Sequence, residues 1–342
     1  MSDGALQAGT LPFASFDHRC LVSPVAVSAD FFAPTATFFG LPQVSAFLFG
    51  TVSDAEGNAW TYARDLPPHG SNGAMLMGNA GADAMHIRSE AAQLWRGSVL
   101  FAREDAQGEW MSGDGVRGDP SFRMTHRIDD IAIAESGVLA LSGARKGPGY
   151  QWYDPTAQMG AVCIMHFVTG TVLDRLVAGW IGLDFHYQRP GLNHFLSPLV
   201  AGGISLAWVT FGTMFADGSW ESGLMAKGRK GWGMAIVGDS DGGLAQSNRI
   251  AAEFDIGADE YPRIMRFACV DEISGAPMAW AWQAAPRAAM VDIPASAPSR
   301  RHNRGAEGVV LRQGEGRTVV HASAWTEFFA DGRVDEWRRE RR

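Results

Sequence analysis

Short extended runs of apolar residues, separated by glycine- and aspartate-rich polar turns, dominate this chain. Successive side chains of an extended strand point to opposite faces, so this pattern predicts short antiparallel strands with one buried face. Residues 35–51 are apolar, β-branched or aromatic; Ser53, Asp54, Gly57 and Asn58 then turn the chain, and residues 59–63 return as a hairpin partner. Residues 98–103 and 109–112 flank the turn 104–108, and the run Ile131 to Leu141 is broken at Glu135-Ser136-Gly137. Leu206 to Phe215 turns at Ala216-Asp217-Gly218 and returns through Trp220 to Ala226. Similar hairpins are expected around Gly238–Gly243 and Asp271–Pro277, and a last strand runs from Thr318 to Phe329. Residues 83–96 carry apolar positions at mixed spacing and read equally as a short helix or as irregular chain, while 284–299, rich in Pro and Ala, reads as a loop.

The most informative stretch is 162–188. Two apolar strand-like runs flank Asp174-Arg175, and the second ends on Asp184-x-His186. In an extended segment Asp184 and His186 project together, on the face that also carries Trp180 and Gly182.

Length and composition narrow the alternatives. The 342 residues suffice for two domains, and strand-like content is comparable in both halves, so we divide the chain into 1–220 and 221–342. A hydrophobic fraction of 46% with 19% charged residues describes a folded protein with a sizeable core. Twelve Trp and 19 Phe suit large apolar cavities as well as cores. The formal charge of -8 argues against nucleic acid or anionic membranes as the main partner. Local basic clusters, 300–304 and 337–342, read as a solvated loop and a tail. Cys20, Cys163 and Cys269 are odd in number and far apart, so neither a disulfide framework nor a CxxC metal motif is expected. The first 20 residues show no signal-peptide pattern and no apolar run has the length of a membrane span, which together predict a cytoplasmic setting without stable membrane insertion.

The run Phe167-x-x-Gly170-x-Val172, continuing through Val177-x-Gly179-x-x-Gly182-x-Asp184-x-His186, resembles the mid-chain signature of the carotenoid 1,2-hydratase and AttH-like group. The group often shows a glycine-rich strand pair ending in an Asp-His-Asn-Trp or related sequence; here Phe185 separates Asp from His, and Tyr187 follows. The resemblance implies an all-β protein of two packed lipocalin-like antiparallel barrels. It also implies chemistry on hydrophobic terpenoid or polyketide molecules, since members include hydratases and cyclases of the Diels–Alder type.

The candidate chemistry centres on Asp184 and His186 as acid and base, in a pocket lined by Trp152, Tyr153, Trp180 and Tyr187. A plainer reading has the two residues tying a strand end to a loop. Trp152-Tyr153-Asp154-Pro155 could line a barrel mouth, and Asp-Pro equally initiates a turn. His166, within an apolar strand, reads as a core or pocket residue. Pairing it with His186 and His194 as metal ligands lacks the tight spacing that such sites show. Glu221 could face a cleft between the domains. His321, Ser323, Trp325 and Glu327 share one strand face, a poor geometry for a triad, and are expected to face solvent or the second barrel's interior. No GxGxxG in a strand–helix context and no Walker A motif is present, and Gly228-Arg229-Lys230-Gly231 is a basic turn. The sequence therefore predicts an enzyme without cofactor or metal that hydrates or dehydrates a hydrophobic small molecule. Isomerisation or cyclisation by shape, and a carrier without catalysis, are the alternatives.

Overall fold

The computed structural model describes residues 20–68, 70–71, 73–82, 84–192, 207–228, 231–257, 262–286, 291–292 and 303–329. Among these residues the chain is built from antiparallel strands and three short 3-10 turns, Ala29–Phe31, Ser89–Gln93 and Gly113–Val116, with no α-helix. No helix of the described residues is long and apolar enough to cross a membrane.

The first sheet has fourteen strands. At its centre lie Leu41–Ser53, Arg175–Gln188 and Met159–Val172, flanked on one side by Ala59–Leu66 and Gly73–Gly78, and on the other by Leu139–Arg145, Asp130–Glu135 and Phe122–Arg127. The sheet curls on itself. Ala59–Leu66 and Phe122–Arg127 are far apart in the strand order, yet the Arg64 guanidinium sits 4.2 Å from the Phe122 ring centroid. Inward-facing residues of alternate positions, among them Leu48, Trp60, Leu76, Trp110, Ile133, Ile164 and Leu183, fill the concave side.

A seven-stranded sheet begins at Ala207–Phe215 and includes Trp220–Lys227, Gly233–Asp239 and Val319–Phe329. A four-stranded sheet of Ile250–Ile256, Pro262–Val270, Pro277–Ala284 and Gly308–Arg312 packs across it. Trp282 Nε1 donates to the Ala324 carbonyl at 2.8 Å and Thr213 Oγ1 to that of Val310 at 2.9 Å, joining the two. The all-β architecture thus follows the alternation in the sequence, the second unit being two packed sheets around one core.

A third core lies between the first sheet and the seven-stranded one, formed by Trp152, Cys163, Met165, Trp180, Leu224, Trp232, Met234 and Ile236 among others. The Trp232 indole donates to Asp154 Oδ2 at 2.9 Å, and the Tyr150 hydroxyl meets Ser222 Oγ at 2.8 Å.

Of the two readings of 83–96, the described residues 84–96 take the irregular one and form no α-helix. His86–Ile87 instead pairs with the edge of Gly73–Gly78, and Ser89–Gln93 forms a 3-10 turn. Met85 and Leu94 go to different clusters, so the segment has no single apolar stripe to support a helix. Most of the 284–299 loop and the basic cluster 337–342 lie outside the described residues.

Candidate functional site

Asp184 and His186 stand near the end of a fourteen-residue strand whose hairpin turn is made by Leu173 and Asp174, both at positive φ. Directly opposed residues of neighbouring strands share a face. Asp184 lies opposite Cys163 on one neighbour and Phe47 on the other; His186 lies opposite Ala161 and Ser45. Phe47 is in turn opposite Asp65, whose Oδ1 accepts a hydrogen bond from Ser45. The convex face of the first sheet, turned toward the second unit, therefore brings two carboxylates and an imidazole around Phe47.

His186 Nε2 is 3.6 Å from Asp184 Oδ2. The other carboxylate oxygen, Oδ1, is buried and has no hydrogen-bond partner among the described residues. The Asp184 side chain is 10% exposed and that of His186 30%, so one is shielded while the other reaches solvent. Phe47 lies 6.3 Å from the His186 ring and 5.7 Å from that of Phe49. Burial, reinforced by the Asp184 carboxylate, holds the Cys163 thiol well above its ordinary range, so it stays protonated.

The aromatic residues expected around this pair divide between the two faces. Trp152 and Trp180 belong to the same side as Asp184: Trp152 packs on Trp208 at 5.4 Å, and Trp180 on Phe167 at 5.5 Å. Tyr153 and Tyr187, at odd positions, face the other way. Tyr187 packs on Phe38 at 5.2 Å and Tyr153 stacks on Phe39 at 4.5 Å. Asp154 makes the expected turn, accepting from Thr156 and Ala157 backbone amides through Oδ1.

His166 also points into the first sheet's interior, so His166 and His186 lie on opposite faces, and His194 is outside the described residues. Among the described residues no three His, Cys, Asp or Glu side chains come together as a metal site. Glu221 does not face the cleft. Its position in the strand turns it toward the end of the second unit's core, where Arg312 and Arg317 lie at 3.0 and 3.4 Å. Burial raises its pKa against the pull of both arginines. The row His321, Ser323, Trp325 and Glu327 faces neither solvent nor the second interior: Ala324 and Phe328 take the interior, His321 lies 5.5 Å from Phe167, and Trp325 packs toward Met77 and Met85.

Three polar groups escaped the sequence reading. His126 faces the interior 5.3 Å from His166. Arg64 and Glu135 form a fully buried ion pair there, with Tyr62, Ser71 and the Trp95 backbone completing the hydrogen bonds. Glu307 is buried where the sheets meet, accepting from Thr51 of the first sheet and from the Ala324 and Gly308 amides. Burial pushes its carboxyl up to about 7. The alternation Phe122-x-Met124-x-His126 carried a signal for the histidine, and Trp60-x-Tyr62-x-Arg64 one for the arginine.

No protein-family model and no curated protein sequence matches the chain. Solved structures are similar to it over most of its length, two of them as follows. One is a protein designated AttH from Nitrosomonas europaea, 14% identical, covering 84% of this chain and 92% of its own, with a TM-score of 0.41. The other is kievitone hydratase from Nectria haematococca, 8% identical, covering 90% and 94%, with a TM-score of 0.44.

Proposed function

We propose that the Asp184 face is the active site of a cofactor-independent enzyme that adds water to, or removes it from, an uncharged hydrophobic molecule. One observation carries this reading: a buried carboxylate oxygen without a partner among the described residues, on the face between the two units, with an imidazole reaching solvent 3.6 Å from its other oxygen. A carboxyl group so placed can deliver a proton to an alkene carbon or a leaving hydroxyl. His186, open to water, accepts the proton released by the attacking water molecule, or returns one to Asp184. Trp180, Trp152 and Phe49 give the surroundings an apolar character suited to a terpenoid, steroid-like or polyketide skeleton.

Native mass spectrometry of the purified protein identifies the co-purifying apolar molecule, which is then incubated with enzyme in water enriched in oxygen-18. The expected result is heavy oxygen in the product of hydration, or a product lighter by one water in dehydration, with Asp184→Asn slower by roughly 100-fold or more, the range of a lost general acid. Full activity in Asp184→Asn removes the proposed acid. Conversion with neither heavy oxygen nor loss of water points to isomerisation or cyclisation, and tight binding without conversion to a carrier.

A further inference from the structure

Among the described residues neither ring nitrogen of His126 or of His166 finds a hydrogen-bond partner, and both side chains are buried. The Ile181 backbone lies near His166 without hydrogen-bond geometry and raises its pKa only against a larger opposing effect of burial. The two rings are nearly perpendicular at 84°, their centroids 5.3 Å apart. Phe32 caps His126 edge-on at 4.2 Å, and Phe185 lies 6.1 Å from the same ring. Farther along the same interior face, the Tyr187 hydroxyl is buried and also has no partner among the described residues. Leaving a buried polar group unpaired costs about 1–3 kcal/mol. Two unpaired imidazoles therefore oppose stability, where Phe or Leu would not.

We propose that the concave interior of the first sheet holds a second binding site, separate from the Asp184 face, at which His126 and His166 receive the hydroxyl or carbonyl group of an uncharged apolar molecule. Each neutral imidazole offers one N–H donor and one acceptor nitrogen, which a hydroxyl group can satisfy in either direction. Burial lowers the pKa of both rings, His166 to about 3 and His126 well below its ordinary value. Neutral rings favour an uncharged ligand, since Arg145, opposite His166, is already engaged by Asp129 and the Ile128 and Gly147 carbonyls. Two imidazoles without a third ligand fall short of the usual zinc set. The 3-10 turn Ala29–Phe31 packs beside these rings and is tied down by the buried Gln43 side chain, whose amide donates to the Phe31 and Ala33 carbonyls at 3.1 Å each.

The test compares 4-methylphenol with toluene, which differs only in lacking the hydroxyl, by titration and by the imidazole resonances of His126 and His166. The expected result is a preference of about tenfold for 4-methylphenol, the value of one hydrogen bond, with both sets of resonances moving. His126→Phe and His166→Phe each abolish the preference while melting no lower than the parent, and Asp184→Asn retains it. Equal affinity for the two probes, binding of neither, or a preference that survives both phenylalanine variants would overturn the proposal. The wild-type resonances decide the matter even where a variant fails to fold.

Discussion

The indole of Trp180, on the first sheet, lies directly against Gly212 of the seven-stranded sheet: a methyl group built on Gly212 would stand 2.1 Å from Cδ2 of that ring. Here the absence of a side chain is what permits the two units to approach. Gly212→Ala is expected to lower stability by about 1–3 kcal/mol in urea unfolding, the cost of overpacking a closed core. Adding Trp180→Phe should recover part of that loss. An unchanged midpoint in Gly212→Ala would mean that the sheets separate at no cost and that the shared core contributes little.

Arg64 and Glu135 depend on each other more than most pairs, since both are buried and each keeps further partners: Tyr62 and Ser71 for the guanidinium, the Trp95 amide for the carboxylate. Removing either partner leaves an uncompensated charge. Glu135→Gln or Arg64→Met is expected to cost about 3–5 kcal/mol, and the double variant Arg64→Met/Glu135→Leu clearly less than the sum. Equilibrium unfolding of the four proteins gives the coupling energy. Simple additivity would show that the two charges act independently.

How much of this was legible in the sequence depends on the range over which each feature is determined. The hairpins from 41 to 66 and from 207 to 227 follow local turn chemistry and strand alternation, and so does the shared face of Asp184 and His186. Alternation also separates Tyr187 from His186, one position apart, which a reading of the aromatic residues as a single pocket overlooked. Glu307 had no local signal, because its partner Thr51 is 256 residues away in the chain. The segment 83–96 failed as a helix for a similar reason: pairing of Ile87 with Met77 decides its conformation, and that contact is not local.

Glu307 makes stability depend on pH in a direction opposite to that of most carboxylates. Its carboxyl holds a proton up to about pH 7 in the folded chain, against 4.5 ordinarily. Between those values the folded state binds the extra proton, so stability falls as pH rises. The contribution is fully present below about 4.5 and lost once pH passes about 7, a difference of about 3 kcal/mol. Glu307→Gln is expected to remove this slope while keeping an acceptor for the Ala324 amide. Unfolding curves between pH 4.5 and 8 check it; an unaltered slope in the variant would assign the dependence to other groups.

His126 and His166 contribute the opposite slope. Burial lowers both pKa values below the ordinary 6.5, so the unfolded chain takes up protons that the folded chain refuses. Their contribution is intact above pH 6.5 and is lost as pH falls, toward about 3 for His166. From pH 6.5 down to 4.5 this loss competes with the gain at Glu307, and two histidines against one carboxyl make the net effect a loss. The single variant His166→Phe should therefore resist acid better than the parent, with its unfolding midpoint at pH 5 shifted upward relative to that at pH 7.5. In a His166→Phe/Glu307→Gln protein, the remaining slope over this window should come from His126 among the three groups. An acid transition unchanged by His166→Phe would show that this ring already takes up its proton in the folded state.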